Sequence, residues 1–425
     1  MNNGNEALNA LAGESSQMEL TRRALLGTAA SSPALLIRPA RAQKPVLRIG
    51  LLSDMSGPYR DDTGMTGVIC ARQAVEDFGA ANRGLDVEII FADHQNKPDI
   101  GAGVARRWLD QDGVDAILDV PTSSVALAVN TVVRERNKVY LNSGGGTSDL
   151  TGAQCSPNLV HWTYDTASQT KSTIGSLMRS GNTTYFMVVA DYVFGQSLEK
   201  DATKVIEAGG GKVLGRVAYP FPETNEFSSM LLRAQSSGAK VLALCNAGGD
   251  TVNCIKQARE FGLLDTMKVA ALQFQSTAVH GTGLEVAQGI LTSAGYYWDF
   301  NARTRAFNDR IKVKSPKIWP NMTQAGCYGA TLHYLKTVAD MGLASAKADG
   351  RAVVERMKRM PTDDDVFGAG RIREDGRHLH DVHLFEVKKP SESKSEWDVM
   401  KLVATTPAEQ AFRPLAEGGC PLIKA

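Results

Sequence analysis

Small polar residues follow several short apolar runs in the first half of this 425-residue chain. The runs at 47–52, 116–118 and 139–141 each lead into a loop rich in serine, threonine and glycine. If the runs are strands of open α/β sheets, ligands bind beyond their carboxyl ends, so these loops are where binding side chains are expected. The candidates in the loops are Ser53, Tyr59, Ser123, Ser124, Gly145 and Thr147.

Two of these loops have the chemistry that suits a carboxylate. Ser123 and Ser124 precede an apolar-periodic run and are predicted to begin a helix, where free backbone N–H groups and the helix dipole favour an anion. The alternative is that they only cap this helix. The glycines at 144–146 let the backbone approach a ligand closely, and Thr147 adds a hydroxyl. The chain has no G-x-x-x-x-G-K-[ST] motif, so this loop is not expected to bind ATP.

The loops in the middle of the chain add aromatic and amide side chains. Tyr192 and Phe194 follow a predicted strand near Tyr185–Val189 and open a helix. Their rings suit a planar ligand, although Tyr192 could equally serve in packing. Asn246 and Gln275 occupy the equivalent position after two later strands, and we include both as ligand-binding candidates.

The sequence has few candidate motifs for catalysis or metal binding. The chain has no G-x-S-x-G elbow, no H-E-x-x-H and no Cys-x-x-Cys. Its one histidine cluster, His378, His380 and His383, alternates with apolar residues and is interpreted as the polar face of a strand rather than a zinc site. We therefore expect no metal, no cofactor and no enzymatic activity.

The elements that must position these loops form a repeating pattern. After Gln43 short apolar runs alternate with longer amphipathic ones, which predicts βα units and mainly parallel sheets. The alternation restarts near residue 163, so we predict two doubly wound α/β lobes. The first comprises 43–162 and 296–362, the second 163–295 and 363–412, and 413–425 form a C-terminal tail.

This division makes the chain cross between the lobes three times. A three-segment hinge suits two rigid lobes that close over a ligand, since a few linker residues can absorb the change in backbone angles. Near the end, a polar segment at 361–377 leads to Asp381–Val387 and Met400–Ala404, which we predict to be edge strands of the second lobe.

The first 42 residues indicate export. Arg22 and Arg23 lead into an apolar stretch at 24–37 that ends at Ala40-Arg41-Ala42, as in a twin-arginine signal peptide cleaved after Ala42. This segment holds four of the 47 basic and three of the 46 acidic residues, so the remainder is electrically neutral. A neutral chain lacks the basic footprint of a nucleic-acid binder.

The six cysteines fall into two groups. Cys70, Cys245, Cys254 and Cys327 lie in apolar or small-residue runs and are expected to be buried thiols. The remaining pair, Cys155 and Cys420, lies in loops, and we predict a disulfide between them that holds the C-terminal tail against the first lobe.

Over residues 46–415 the chain resembles the branched-chain amino acid type (Leu/Ile/Val-binding-like) of periplasmic solute-binding proteins, which serve ABC importers. The resemblance rests on the blocks 49–57, 142–150, 191–195 and 246–250 and on Phe412-Arg413-Pro414-Leu415. It implies a type I periplasmic binding protein fold, with a ligand carboxylate held by Ser123 or Ser124 and by Gly145 and Thr147. An aromatic side chain of the second lobe, Tyr192 or Phe194, would cap the ligand.

One block departs from the amino acid binders, which place an acid after a second-lobe strand to pair with the ligand ammonium. Here that position holds Gln273-Phe274-Gln275, and a buried ammonium without a carboxylate would be costly. The departure favours an organic acid without an α-amino group, preferably aromatic, over a branched-chain or other amino acid. Asp250 or Asp299 could supply the charge instead.

The resemblance also implies the partners. We expect a monomer in the periplasm, exported by the twin-arginine pathway, that presents a small-molecule ligand to the membrane permease subunits of an ABC importer. The alternative is a ligand-sensing module for a receptor or kinase, since one fold serves both roles.

Overall fold

The computed structural model describes residues 45–423. The predicted signal peptide at 1–42 and its cleavage site lie outside the described residues. Within 45–423 no helix is both long enough and apolar enough to cross a membrane.

The first lobe begins with alternating strands and helices. In chain order these are β1 (Val46–Ser53), α1 (Met65–Phe78), β2 (Asp86–Asp93), α2 (Pro98–Asp110), β3 (Ala116–Asp119), α3 (Ser123–Glu135), β4 (Val139–Asn142) and β5 (Leu159–His161). The strands form a parallel sheet of order β2-β1-β3-β4-β5. Both faces are buried: Leu51 of β1 packs into one core and Leu52 into another, as expected for a parallel sheet covered by helices.

The second lobe repeats this pattern. Its elements are α4 (Thr166–Arg179), β6 (Thr184–Ala190), α5 (Val193–Ala208), β7 (Lys212–Tyr219), α6 (Ser228–Ser236), β8 (Val241–Cys245), α7 (Gly248–Glu260), β9 (Lys268–Ala271), α8 (Ser276–Thr282), α9 (Leu284–Ala287) and β10 (Leu291–Ala294). Strands β6 to β10 pair with one another in parallel.

The chain then returns to the first lobe. The returning elements are α10 (Ala302–Lys312), α11 (Met322–Met341), α12 (Leu343–Ala348), α13 (Gly350–Arg359), β11 (Thr362–Asp364), β12 (Gly368–Ile372) and β13 (His378–Leu379). Helix α11 packs along α1, and α13 packs against β4. The last three strands form a small antiparallel sheet.

This small sheet corrects the predicted boundary at residue 363. Arg377 forms a parallel bridge with His161 of β5, and the His378 Nδ1–H donates a hydrogen bond to the Trp162 carbonyl at 3.0 Å. The segment at 363–379 therefore lies with the first lobe, not the second. The strands in this segment are too short to show an alternating apolar pattern. In the sequence its many polar residues therefore suggested a connecting segment.

Two further strands and a short helix complete the second lobe. They are β14 (Val382–Val387), β15 (Met400–Thr406) and α14 (Ala408–Ala411). The sheet order is β15-β14-β10-β9-β8-β6-β7, and β14 pairs antiparallel with both β10 and β15. Only β15 is an edge strand, so the prediction of an edge position for β14 is wrong. Two doubly wound α/β lobes are otherwise as predicted.

The predicted histidine cluster is divided by the third crossing between the lobes. His378 lies in β13, stacked on Trp162 at 4.1 Å, while His383 lies in β14, stacked on Phe300 at 3.9 Å. Burial lowers the pKa of His380 to about 4. The three rings are buried packing and hinge residues, and they do not form the single strand face that the alternation suggested.

The cysteines are distributed as the sequence indicated. Cys155 and Cys420 are joined in a disulfide that links the C-terminal tail to the loop before β5. The thiols of Cys70, Cys245, Cys254 and Cys327 are free and buried.

Candidate ligand-binding site

A cavity lies where the carboxyl ends of the two sheets face each other. Both lobes contribute to it. The lining residues are Tyr59, Asp62, Thr63, Pro121, Thr122, Ser123, Gly144, Gly146, Tyr164, Tyr192, Phe194, Ala247, Gln273 and Thr323.

The first-lobe wall is formed where β3 turns into α3. Asp119, Val120 and Thr122 all have positive φ, at 78°, 59° and 71°. Such angles are costly for β-branched residues and tend to occur where a site constrains the backbone. The turn places Ser123 at the start of α3, and no side chain caps this helix. The first N–H groups of α3 are therefore available to an anion in the cavity.

Ser53 has a supporting role in this wall rather than a place in the lining. Its hydroxyl donates to Asp119 Oδ2 at 2.7 Å, and the Ser143 hydroxyl donates to Asp119 Oδ1 at 3.1 Å. Burial raises the pKa of Asp119 to about 7. These bonds join the ends of β1, β3 and β4 beneath the cavity.

The glycine loop after β4 presents alternate residues to the cavity. Gly144 and Gly146 line it, whereas Gly145 exchanges two hydrogen bonds with the Asn142 side chain, at 2.7 and 2.9 Å. A Cβ atom at Gly146 would lie 2.6 Å from the Tyr164 ring and 2.7 Å from the Phe194 ring, so a larger residue there would displace these rings.

Thr147 is buried outside the lining. Its hydroxyl accepts from the Asp149 N–H at 3.3 Å and bonds to Ser197 of α5 at 2.9 Å. Thr147 thus connects the two lobes instead of facing the cavity.

Four aromatic rings surround the cavity. Tyr59 and Tyr164 come from the first lobe and the first crossing, and Tyr192 and Phe194 come from the start of α5. The Tyr59 and Tyr192 hydroxyls are 2.5 Å apart, and the Tyr164 and Phe194 rings meet edge to face at 6.5 Å. Flat apolar surfaces on several sides suit a small planar or bulky apolar group.

Asp62 is a cavity residue that the sequence did not suggest. It is 8% exposed, and its Oδ1 accepts a hydrogen bond from the Thr277 hydroxyl at 2.7 Å. Burial raises the pKa of Asp62 to about 6. The two acids considered from the sequence lie elsewhere: Asp250 accepts from the Tyr219 hydroxyl, and Asp299 pairs with Arg305.

The ten predicted site residues divide into two groups. Tyr59, Ser123, Tyr192 and Phe194 line the cavity, and the other six do not. Ser124 is not among the lining residues, the Asn246 amide oxygen accepts from the Thr251 hydroxyl, and Gln275 donates to the Thr323 hydroxyl. In the loops of Gly145, Asn246 and Gln275, a residue one or two positions away lines the cavity.

Three of the missed residues carried little sequence signal. Asp62 lies near the end of the loop between β1 and α1, Tyr164 in the first crossing, and Thr323 in the first turn of α11. None directly follows a strand, so reasoning from strand ends passes over them.

Contacts between the lobes surround the cavity. Ser148 of the first lobe donates to Asp201 of α5 at 3.0 Å, and Asn321 donates to Thr277 of α8 at 3.0 Å. Together with the Tyr59–Tyr192 contact, these bonds hold the lobes in a closed arrangement.

Residues 46–394 match a family described as periplasmic binding protein. The chain belongs to this family. It is 44% identical to a periplasmic binding protein from Burkholderia mallei, with a TM-score of 0.84 over 89% of this chain and 99% of that one. It is 37% identical to a branched chain amino acid ABC transporter periplasmic ligand-binding protein from Burkholderia xenovorans, with a TM-score of 0.80 over 88% and 99% of the two chains.

A third structure shares the fold at lower identity. It is a solute-binding protein of an ABC transporter from Rhodopseudomonas palustris in complex with benzoate, 19% identical, with a TM-score of 0.77 over 89% of this chain and all of that one. No curated protein sequence matches the chain significantly.

These matches confirm the predicted family and fold class. As a periplasmic binding protein, the chain is a solute-binding component of an ABC transporter and not an enzyme.

Proposed function

We propose that this periplasmic binding protein captures a small carboxylate-bearing solute, with the carboxylate at the N-terminus of α3 and the apolar body among the four aromatic rings. The observation that carries the proposal is the uncapped start of α3 in a ring-lined cavity. The ligand then passes to the permease subunits of the importer, to which the closed protein presents both lobes as a monomer.

The carboxylate end of the site uses backbone groups instead of a cation. Helix α3 has 13 residues, so its dipole is fully developed at Ser123. The Ser123 hydroxyl accepts from the Thr147 N–H at 3.1 Å, and its own proton remains free to donate to a ligand oxygen. The backbone of Gly144 and Gly146, in the loop after β4, also lines the cavity.

The apolar end favours an aromatic acid. Tyr59, Tyr164, Tyr192 and Phe194 offer ring faces and edges on both lobes, which stabilise a planar group beyond its buried area. Proteins from Rhodopseudomonas palustris with this fold were solved with benzoate and with 4-hydroxybenzoate.

A branched-chain or other amino acid is the second candidate, and one observation favours it. Asp62 places a carboxylate in the cavity, which supplies the ammonium partner missing at Gln273-Phe274-Gln275. The protein from Burkholderia xenovorans is named for branched-chain amino acids.

Adjacent serines provide a matched test of the carboxylate subsite. We expect Ser123→Ala to weaken binding of a carboxylate ligand by about 1–3 kcal/mol, because one donor to a charged group is lost. Ser124→Ala, one residue away and outside the lining, should leave affinity unchanged. Calorimetry with benzoate, 4-hydroxybenzoate, leucine and phenylalanine measures both. Equal effects of the two changes, or no binding of any carboxylate, would contradict the proposal.

We further propose export by the twin-arginine pathway, from the Arg22-Arg23 pair and the Ala40-Arg41-Ala42 cleavage site. Replacing both arginines by lysine should retain the precursor in the cytoplasm, while mature protein from the unaltered chain should begin at Gln43. Cell fractionation and N-terminal sequencing measure the two outcomes. Unchanged periplasmic yield of the Arg22→Lys, Arg23→Lys variant would rule out this pathway.

A further inference from the structure

Asp62 is held in the cavity by contacts from two other elements. Asn321 donates to the Thr277 hydroxyl at 3.0 Å, and that hydroxyl donates onward to Asp62 Oδ1 at 2.7 Å. The Asn321 amide also donates to the Asp62 backbone carbonyl at 3.0 Å. The chain of bonds fixes the carboxylate in position and assigns Thr277 as a donor to it.

The carboxylate lacks a charge partner. Among the lining residues found within 45–423, Asp62 is the one with a charged side chain. No cation of the described chain lies within ion-pair distance of it, and its Oδ2 accepts no hydrogen bond there. The neighbouring Asp61, by contrast, is exposed and pairs with Arg60 at 3.6 Å.

A buried carboxylate with one donor and no cation is unfavourable unless something else satisfies it. The cavity that it lines is the space that a ligand occupies, so the ligand is the remaining source of a donor. A solute without a hydrogen-bond donor leaves the carboxylate unsatisfied, so the binding of that solute is less favourable.

We propose that Asp62 selects for solutes that carry, besides their carboxylate, a hydrogen-bond donor group, either a hydroxyl or an ammonium. This inference rests on the proposed function, because it assumes that a carboxylate solute fills the cavity. It makes Asp62 a specificity residue: the α3 N-terminus accepts any carboxylate, and Asp62 distinguishes among them.

Matched ligand pairs test this selection. Each pair differs by the donor: 4-hydroxybenzoate against benzoate, phenylalanine against 3-phenylpropionate, and leucine against 4-methylpentanoate. In at least one pair we expect the donor-bearing member to bind about tenfold to a hundredfold more tightly, as for a hydrogen bond to a charged group. Calorimetry on the mature protein measures the ratio.

Three variants test whether Asp62 causes the ratio of affinities within a ligand pair. Asp62→Asn removes the charge but retains an acceptor, so it should abolish a preference for ammonium and leave part of a preference for hydroxyl. Asp61→Asn, at the exposed neighbour, should change neither. Thr277→Val removes the donor that holds the Asp62 carboxylate in position, so it should lower the ratio in the same direction as Asp62→Asn but by less.

The possible failures are distinguishable. If the carboxylates bind but both members of every pair bind equally, or if Asp62→Asn leaves the ratio unchanged, the selection by Asp62 is overturned and the proposed function stands. If none of the six carboxylates binds, the proposed function fails and this inference fails with it.

Discussion

At the scale of single residues, the buried carboxylate of Asp62 serves ligand binding but lowers the stability of the ligand-free protein. Burial raises its pKa from 3.8 to about 6 in the folded protein. Between these values the folded protein holds a proton that the unfolded chain has released. The free energy of unfolding therefore decreases as pH rises through this window, and the full cost of the buried charge is present above about pH 6.

Removing this charge should stabilise the ligand-free protein. We expect Asp62→Asn to raise the free energy of unfolding at pH 7.5 by about 1–3 kcal/mol, since an amide is less costly to bury than a carboxylate. The gain should disappear near pH 4, where Asp62 is protonated. Nearby titratable groups are Asp61 and Tyr164, so Asp61→Asn serves as control. Denaturant unfolding at both pH values measures the difference, and a gain independent of pH would contradict it.

Gly146 is the second residue with a specific prediction. A methyl group there would lie 2.6 Å from Tyr164 and 2.7 Å from Phe194, and both rings line the cavity. We expect Gly146→Ala to weaken ligand binding by about 1–3 kcal/mol, because the rings must move from their positions.

Gly103 provides the control for this change. It lies in α2 with no atom within 4 Å of an added Cβ. Gly103→Ala should leave ligand affinity unchanged and stabilise the protein by about 0.5–1 kcal/mol. Ligand titration and thermal unfolding of both variants measure the contrast, and unaltered affinity in Gly146→Ala would remove this loop from the site.

At the scale of elements, the three crossings between the lobes form one packed hinge. The Arg377 guanidinium donates to the carbonyls of Thr163 and Tyr164 in the first crossing and lies 3.5 Å from Asp165. The His380 ring, in the third crossing, packs against Gly295 of the second, where an added Cβ would lie 2.5 Å away. Rotation of one lobe against the other must therefore change backbone angles within these three short crossings, whose residues contact one another.

The C-terminal tail also spans both lobes. The carbonyl of Phe412 accepts from Lys171 of α4 at 2.8 Å, and Arg413 donates to the Ser148 carbonyl of the first lobe at 3.0 Å. Beyond these contacts the disulfide between Cys155 and Cys420 joins the tail to the loop before β5.

The disulfide should contribute to stability by restricting the unfolded chain. We expect Cys420→Ser to lower the free energy of unfolding by about 2–4 kcal/mol. Adding reductant should destabilise the unaltered protein and leave the variant unchanged, because the four other cysteines are already thiols. Peptide mapping without reduction should recover the linked pair. Finding both cysteines as thiols in exported protein would contradict the assignment.

At the scale of the whole molecule, closure also depends on contacts away from the ligand. Trp319 of the first lobe stacks on Trp397 of the second at 5.6 Å, and Trp397 stacks in turn on His280 at 3.9 Å. None of these rings lines the cavity. The stack therefore stabilises the closed arrangement without contacting the ligand.

Weakening this stack should lower affinity without changing preference. We expect Trp319→Ala to weaken every ligand by the same factor, corresponding to about 0.5–1.5 kcal/mol for an aromatic pair. Phe91→Ala, at a half-exposed ring within the first lobe, should have no such effect. Calorimetry measures the affinities, and tryptophan fluorescence on ligand addition reports closure. A change in the order of ligand affinities would show that Trp319 acts on the ligand site instead.

Much of the fold followed from local patterns. The runs at 47–52, 116–118 and 139–141, which the sequence predicted to be strands, lie within β1, β3 and β4. Long alternating segments are well specified because each apolar run must be buried by the helix that follows it. The short strands β11 to β13 were missed, since two to five residues do not carry a period.

The candidate site was predicted only in part for a related reason. Backbone in extended loops turns alternate residues to opposite sides, so the loop after β4 was recognised but Gly145 was chosen where Gly144 and Gly146 line the cavity. A shift of one residue is invisible without the neighbouring elements that hold the loop.

By itself the sequence determined the two α/β lobes and the strand-end loops that face the cleft, because these depend on the order of apolar and polar residues along the chain, and its resemblance to a known family indicated the family. Only the tertiary structure decided which side chains meet. In the structure, residues 363–379 lie with the first lobe, and Ser53 and Thr147 lie outside the cavity lining. Asp62 lies beside Thr277, which is 215 positions away along the chain. Such pairs are set by packing between distant elements, so no local pattern records them.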